Sequence, residues 1–158
     1  MNKSTIPAPQ KAALSLLLDD HRNAKKLFKQ FKDAGSDAEK EEIAQTVCKE
    51  LTIHTKLEEE IFYPLVRQEG GEPFADLLDE AVVEHASAKE LIAQIQAMKP
   101  TDEMYDAKVT VLGEYINHHV KEEEEELFPK IVSKKIDLRE GADMMAARKE
   151  ELMGTVPA

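Results

Sequence analysis

Apolar and polar positions alternate with a helical period along almost the whole chain. Apolar side chains recur every three or four residues, the spacing of a helix that buries one face. Glycine and proline separate the periodic stretches. The pattern predicts helices over about residues 10–32, 37–68, 73–98 and 102–133, and a shorter one over about 138–153.

Local signals refine these boundaries. Ser36 is suited to cap the second helix, Pro64 to kink it near its end, and Thr101 to cap the fourth. Short connections make sequential helices antiparallel neighbours. We therefore predict an all-α fold, an antiparallel up-down four-helix bundle over residues 9–134, followed by a short additional C-terminal helix and tail over residues 135–158.

Composition narrows the class of protein and its partners. The chain has 158 residues, of which 42% are hydrophobic and 34% charged, as expected for one folded domain with a core. Its net charge of −11 repels phosphate backbones and anionic membrane surfaces, so we expect no nucleic-acid partner and no membrane association. Cys48 is the only cysteine and the N-terminus lacks the apolar core of a secretory signal, which together favour the cytoplasm.

The candidate chemistry lies in the apolar stripes. Four of the five histidines fall in these stripes, one on each predicted long helix, and two have a glutamate four residues later, on the same helix face. A single histidine in such a stripe is commonly a hydrogen-bonded core residue. Four imidazoles and two carboxylates in one bundle core are costly to desolvate without a cation. The predicted metal ligands are His21, His54, Glu58, His85, His119 and Glu123.

The fourth helix offers two frames for its ligand pair. His118 is followed by Glu122, and His119 by Glu123, at the same four-residue spacing. His119 is in phase with the apolar stripe, so we prefer it, and His118 is then a partly exposed neighbour.

The two halves of the chain resemble each other. Residues 21–27 match residues 85–91, and residues 54–64 match residues 119–129, each of the latter pair ending in proline. A duplicated helix pair predicts approximate two-fold symmetry. A site on that axis receives matching ligands from both halves.

These motifs resemble the hemerythrin-like family, also called HHE cation-binding domains. The matching pieces are Asp20-His21, His54-x-x-x-Glu58, Glu84-His85 and His119-x-x-x-Glu123, within a similarity that covers roughly Lys11 to Lys134. The resemblance implies a non-haem diiron site in which Glu58 and Glu123 bridge the irons. Oxygen-carrying hemerythrins have a fifth histidine four residues after the one on the third helix, where this chain has Lys89.

The missing histidine shapes the expected function. It leaves a more open site, which disfavours simple oxygen carriage and favours binding of or reaction with oxygen, peroxide or nitric oxide. The alternative is an iron or oxygen sensor without turnover, and the residues do not decide whether the protein is an enzyme. Two irons are the expected cofactor, with zinc or manganese less favoured. A metal-free bundle used for assembly is the third interpretation. We expect the protein to be a monomer or a homodimer.

A few residues near the predicted ligands are weaker candidates for contact with the site. Glu50 and Tyr115 precede His54 and His119 by four residues, so either could contact the site, Tyr115 being the better candidate for an extra ligand. Ordinary packing or exposure is the favoured interpretation for both. Of the acidic run over residues 122–126, only Glu123 is expected to point inward.

Overall fold

The computed structural model describes residues 1–157, and its regular elements are all helical. Ala158, the last residue of the predicted C-terminal segment, lies outside the described residues. The helices are α1 (Ala8–Asp33), α2 (Asp37–Leu57), α3 (Tyr63–Gly70), α4 (Ala75–Gln96), α5 (Tyr105–Glu122), α6 (Phe128–Ser133) and α7 (Arg139–Thr155). Short 3₁₀ turns at Lys3–Thr5 and Glu72–Phe74 precede α1 and α4.

Two of the four bundle rods are composite. A π-helical turn over Glu58–Phe62 joins α2 to α3, and a second over Glu123–Leu127 joins α5 to α6. With α1 and α4 they form the bundle, and α7 is an additional C-terminal helix. The prediction of an all-α hemerythrin-like bundle with an extra C-terminal helix is confirmed.

Proline explains where the π turns lie. Pro64 and Pro129 follow the turns by two residues, and neither can donate the backbone hydrogen bond of a regular helix. The wider turn closes instead through Tyr63 N–H to the Glu58 carbonyl and Phe128 N–H to the Glu123 carbonyl. The expected kink at Pro64 is therefore a local widening that begins at a predicted metal ligand.

Helix ends match the predictions unevenly. Ser36 caps α2 by accepting a hydrogen bond from the Glu39 N–H at 3.2 Å, as predicted. The predicted cap at Thr101 is wrong, since α5 begins only at Tyr105. Met104, just before it, adopts a left-handed conformation with φ 73°, which no apolar pattern reveals.

The core is divided into two apolar clusters, and the predicted ligands lie between them. On α1, His21 separates Leu17 of one cluster from Ala24 of the other, and on α2 His54 separates Leu51 from Leu57. On α4, His85 separates Ala81 from Ala88, and on the rod of α5 and α6, His119 separates Ile116 from Leu127. The polar layer is thus enclosed at both ends by hydrocarbon.

Helix α7 completes one of these clusters. Ala142, Met145 and Leu152 are buried against the bundle, whereas Met144 is 51% exposed. The Lys149 ammonium also lies 2.6 Å from Asp20 of α1.

No helix within residues 1–157 is both long and apolar enough to cross a membrane. The domain boundary between residues 134 and 135 stays a prediction.

The two adjacent methionines of α7 provide a test of its docking. Met145→Ala should lower the free energy of unfolding by about 2–5 kcal/mol, because it leaves a cavity under a fully buried side chain. Met144→Ala, the control, should change it by less than about 0.5 kcal/mol. Denaturant unfolding of both variants measures the difference, and equal effects would show that α7 does not pack as described.

Candidate metal centre

Six buried side chains from four rods meet in the polar layer. His21, His54, Glu58, His85, His119 and Glu123 are each at most 5% exposed. Their ligand-type atoms form two groups, one of His21, His54, Glu58 and Glu123 and one of Glu58, His85 and His119, with the atoms of each group within 4.8 Å of one another. All six predicted ligand residues are therefore brought together, and Glu58 is shared by both groups.

The distances show how the carboxylates span the two groups. Glu58 Oε1 lies 3.2 Å from His54 Nε2 and 3.1 Å from His85 Nε2. Glu123 Oε1 lies 3.1 Å from His21 Nε2, while its Oε2 lies 3.4 Å from His119 Nε2. Each carboxylate therefore reaches histidines of both groups, as a bridging ligand must.

The inward atoms are close but mostly unpaired. His21 Nε2, His54 Nε2, both Glu58 oxygens and Glu123 Oε1 are buried without a hydrogen bond of acceptable geometry. Buried polar atoms normally have such partners, because an unpaired one costs about 1–3 kcal/mol. Five orphaned atoms facing one point fit a coordinated cation, and imidazole with carboxylate suits first-row transition metals.

The outward Nδ1 nitrogen of each of the four buried histidines contacts a carboxylate. The Nδ1 contacts are His21 to Glu124 at 2.8 Å, His54 to Asp20 at 2.8 Å, His85 to Glu59 at 2.7 Å and His119 to Glu84 at 2.9 Å. When Nδ1–H donates to a carboxylate, Nε2 is left free to bind a metal, and the ring is held in orientation.

These contacts follow the duplication of the chain. Asp20 and Glu84, which immediately precede a ligand histidine, each support a histidine of their own half. Glu59 and Glu124, which immediately follow a ligand glutamate, each support a histidine of the other half. The site is thus built from both halves.

Charge pairing governs the protonation of the inner groups. Burial acts to lower the pKa of His54, but the carboxylates of Glu58 and Asp20 outweigh it and raise that pKa to about 10. Burial acts to raise the pKa of Glu58, but His54 beside it holds that pKa well below its usual value. Protons and metal therefore compete for the same atoms.

Tyr63 is the functional candidate that the sequence analysis missed. Its hydroxyl donates to Glu123 Oε2 at 2.6 Å and lies 3.3 Å from both His85 Nε2 and His119 Nε2. Burial, with the Glu123 and Glu58 carboxylates, raises the pKa of this phenol well above its usual value. Tyr63 thus keeps its proton beside the ligands.

The structure shows where the weaker candidate residues lie relative to the predicted ligands. Tyr115 is 46% exposed, so it is not an extra ligand. Glu50 accepts a hydrogen bond from Asn23 and lines a cavity beside the ligands without bonding to them. The expectation that only Glu123 of the acidic run points inward is wrong, since the Glu124 carboxylate contacts His21 and the Met1 ammonium.

The choice between the two frames of α5 agrees with burial. His119 is 4% exposed, whereas the His118 side chain is 67% exposed. Whether His119 binds metal stays a prediction.

A cavity of about 30 Å³ adjoins the centre on one side. It is lined by all four buried histidines, and apolar side chains of α1, α2 and α5 together with Asp20, Glu50 and Thr55 complete its wall. Neither Glu58 nor Glu123 lines it. A volume of this size accommodates about two waters or one very small molecule.

Comparison with known proteins assigns the family. The model of the hemerythrin HHE cation binding domain matches residues 12–131. The chain belongs to the hemerythrin HHE cation-binding domain family. It is accordingly a cation-binding domain, and its buried His/Glu clusters are groups that can hold a metal.

Two relatives of this HHE domain place it in context. A DNA nickase from Nostoc sp. (strain PCC 7120) is 32% identical over 113 residues, which are 71% of this chain but only 31% of the nickase. The chain therefore spans less than a third of that relative. A crystal structure of a hemerythrin HHE cation-binding domain-containing protein, the Rv2633c homolog from Mycobacterium kansasii, has a TM-score of 0.74 at 21% identity, covering 89% of this chain and 86% of that one.

The similarity to the Mycobacterium kansasii structure supports the fold, and the similarity to the nickase bears on possible partners. The nickase is described by an action on DNA, whereas the net charge of this HHE domain predicts no nucleic-acid partner. That prediction stays a prediction.

Two adjacent aspartates test the outer carboxylates. Asp20→Asn should weaken metal binding about 10–100-fold, because an amide holds the His54 imidazole less well than a carboxylate. Asp19→Asn is the control, since Asp19 pairs with Lys3 on the surface. Competition with a chelator of known affinity measures both, and equal affinities in the two variants would refute the role of Asp20.

Proposed function

We propose that this chain is a non-haem diiron protein that binds or reacts with small ligands, namely oxygen, peroxide or nitric oxide. In this proposal His21, His54, His85 and His119 hold the two irons, and Glu58 and Glu123 bridge them. The observation that carries it is the set of inward Nε2 and carboxylate atoms, buried and largely unpaired, behind four imidazoles whose Nδ1 atoms contact carboxylates.

The donor set favours a redox metal pair over a single structural ion. The four imidazoles are divided between two groups, which gives two imidazoles to each proposed ion. Carboxylates that bind both ions are the usual bridge of dimetal sites in helical bundles. When bound, two irons supply open coordination positions and electrons for small-molecule chemistry. Zinc and manganese bind the same kinds of ligand atom and are the less favoured metals.

The cavity that all four buried histidines line suits a very small ligand. Its volume is about 30 Å³, too small for an organic substrate. A diatomic molecule or peroxide fits this volume. This cavity supports the substrate class given above.

Tyr63 gives the two halves of the site different properties. Its ring stacks on His85, with centroids 5.5 Å apart, and Phe128 stacks on His21 at 6.0 Å. These two residues occupy matching positions in the duplication, but only Tyr63 has a hydroxyl. The hydroxyl is a proton donor fixed on one side of the centre, where it can assist a ligand that gains a proton.

A second candidate function is an iron or oxygen sensor without turnover. The observation that favours it is the link from ligands to the ends of the described chain: Glu124 joins His21 to the Met1 ammonium, and Asp20 joins His54 to Lys149 of α7. A change at the centre would act on both terminal elements. Unfolding on removal of iron favours this function, whereas turnover of peroxide or nitric oxide by a stable protein favours the first.

The ligand assignment is tested by iron content. Protein from iron-replete cells should contain about two irons per chain, and His54→Ala or Glu123→Ala should lose at least one of them. Glu125→Ala, an exposed neighbour of Glu123, should retain both. Elemental analysis with the optical spectrum of the aerobic protein measures the outcome. Unchanged iron in both ligand variants would refute the assignment.

The contribution of Tyr63 is tested by removing only its hydroxyl. Tyr63→Phe should keep its iron, because Phe128 fills the matching position, but it should react with peroxide at least about 10-fold more slowly. Tyr115→Phe removes a hydroxyl from the surface and should react at the wild-type rate. Stopped-flow rates of the three proteins at equal iron content decide the matter, and identical rates would exclude a proton-donating role.

A further inference from the structure

Each carboxylate that supports a ligand histidine has a second partner on its outer side. For three of them this partner is an ammonium group. Glu124 pairs with the Met1 ammonium at 2.9 Å, Asp20 with Lys149 at 2.6 Å, and Glu59 with Lys89 at 2.9 Å. Each of these partners compensates the charge of a carboxylate that is partly buried.

The fourth carboxylate, Glu84, has a different environment. Its Oε1 lies 2.9 Å from His119 Nδ1, and its Oε2 lies 3.3 Å from Nε2 of the exposed His118. His118 Nε2 also lies 3.0 Å from Glu122 Oε1. Two carboxylates and one imidazole thus converge where the other three positions have an ammonium group.

The duplication shows that this group is not a remnant of a repeated site. The positions in the first half that correspond to His118 and Glu122 are Ile53 and Leu57, both buried in the apolar cluster that α7 completes. In the second half the same face is open and polar. The group is therefore a specific feature of one half of the bundle.

We propose that Glu84, His118 and Glu122 form a peripheral site for a divalent first-row transition cation such as Fe²⁺, Mn²⁺ or Zn²⁺. One ligand atom from each residue lies within 4.8 Å of the others. Metal–ligand distances of about 2.0–2.2 Å place neighbouring ligand atoms about 3.0–3.4 Å apart, which agrees with the two His118 contacts. The side chains are 24%, 67% and 31% exposed, so water has access to complete the coordination.

The chemistry of the ligands selects the class of cation. An imidazole favours transition metals over Mg²⁺ and Ca²⁺, which prefer oxygen alone. The position also connects the site to the buried centre. Glu84 contacts His119 directly, and a crevice of about 10 Å³ is lined by Glu84 and Glu122 together with His119 and Glu123. A cation bound here lies at the outer end of that crevice.

The experiment counts the ions bound beyond those of the buried centre. The intact protein, with its buried centre already loaded and quantified by elemental analysis, is titrated with Zn²⁺ by isothermal calorimetry. Wild-type protein should bind one additional Zn²⁺ per chain. His118→Ala and, separately, Glu122→Gln should weaken this binding at least 10-fold, while Glu125→Gln should leave it unchanged.

Two further measurements keep the interpretation unambiguous. In a His54→Ala background, which alters only the proposed inner ligands, adding His118→Ala should lower the total Zn²⁺ bound by one ion per chain, so failure of the diiron proposal does not imitate failure of this one. Circular dichroism of each variant checks that it is folded. An additional ion that binds equally well to His118→Ala and Glu122→Gln, or no additional ion in any protein, would overturn the proposal and leave these residues as a surface ion pair.

Discussion

The structure depends on the cost of burying four imidazoles and two carboxylates between two layers of hydrocarbon. None of these groups is stable there unpaired, because the surrounding hydrocarbon supplies no hydrogen bonds and Tyr63 supplies only one, to Glu123. Each Nδ1 is satisfied from outside by a carboxylate, and the inner atoms are left to one another and to a cation. The remaining architecture follows from this requirement: four rods are needed to bring the groups together, and adjacent acids on the same rods keep the rings oriented.

The duplication supplies matching groups from both halves of the chain. The positions at which the two halves differ give the site its specific properties. Both halves contribute an acid before a ligand histidine and an acid after a ligand glutamate. They differ at Tyr63 and Phe128, and at the face that α7 covers on one half and leaves open on the other. A symmetric site would offer both of its halves the same surroundings, whereas these differences give one side a proton donor and an exposed polar group.

Much of the fold and the meeting of the six side chains could be predicted because both depend on helical periodicity. The histidines follow the apolar stripe, so their burial follows from the same pattern that defines the helices. Tyr63 could not be found this way. It comes five residues after Glu58, which on an α-helix places it about 140° away from that glutamate. The π turn over Glu58–Phe62 accommodates more residues per turn and brings the phenol back to the site. Tyr115 has the α-helical spacing and faces outward instead.

The same turns bear on how the centre communicates with the rest of the chain. Each π turn begins at a proposed bridging glutamate and ends two residues before a proline that cannot restore regular hydrogen bonding. A π turn contains more residues per turn than an α-helix, so the position of each glutamate is coupled to the direction of the rod that follows it. The acid next to each glutamate contacts a histidine of the other half. A shift of either carboxylate would therefore move one rod and one opposite imidazole together, which makes this polar layer the part of the bundle where a chemical change can become a structural one.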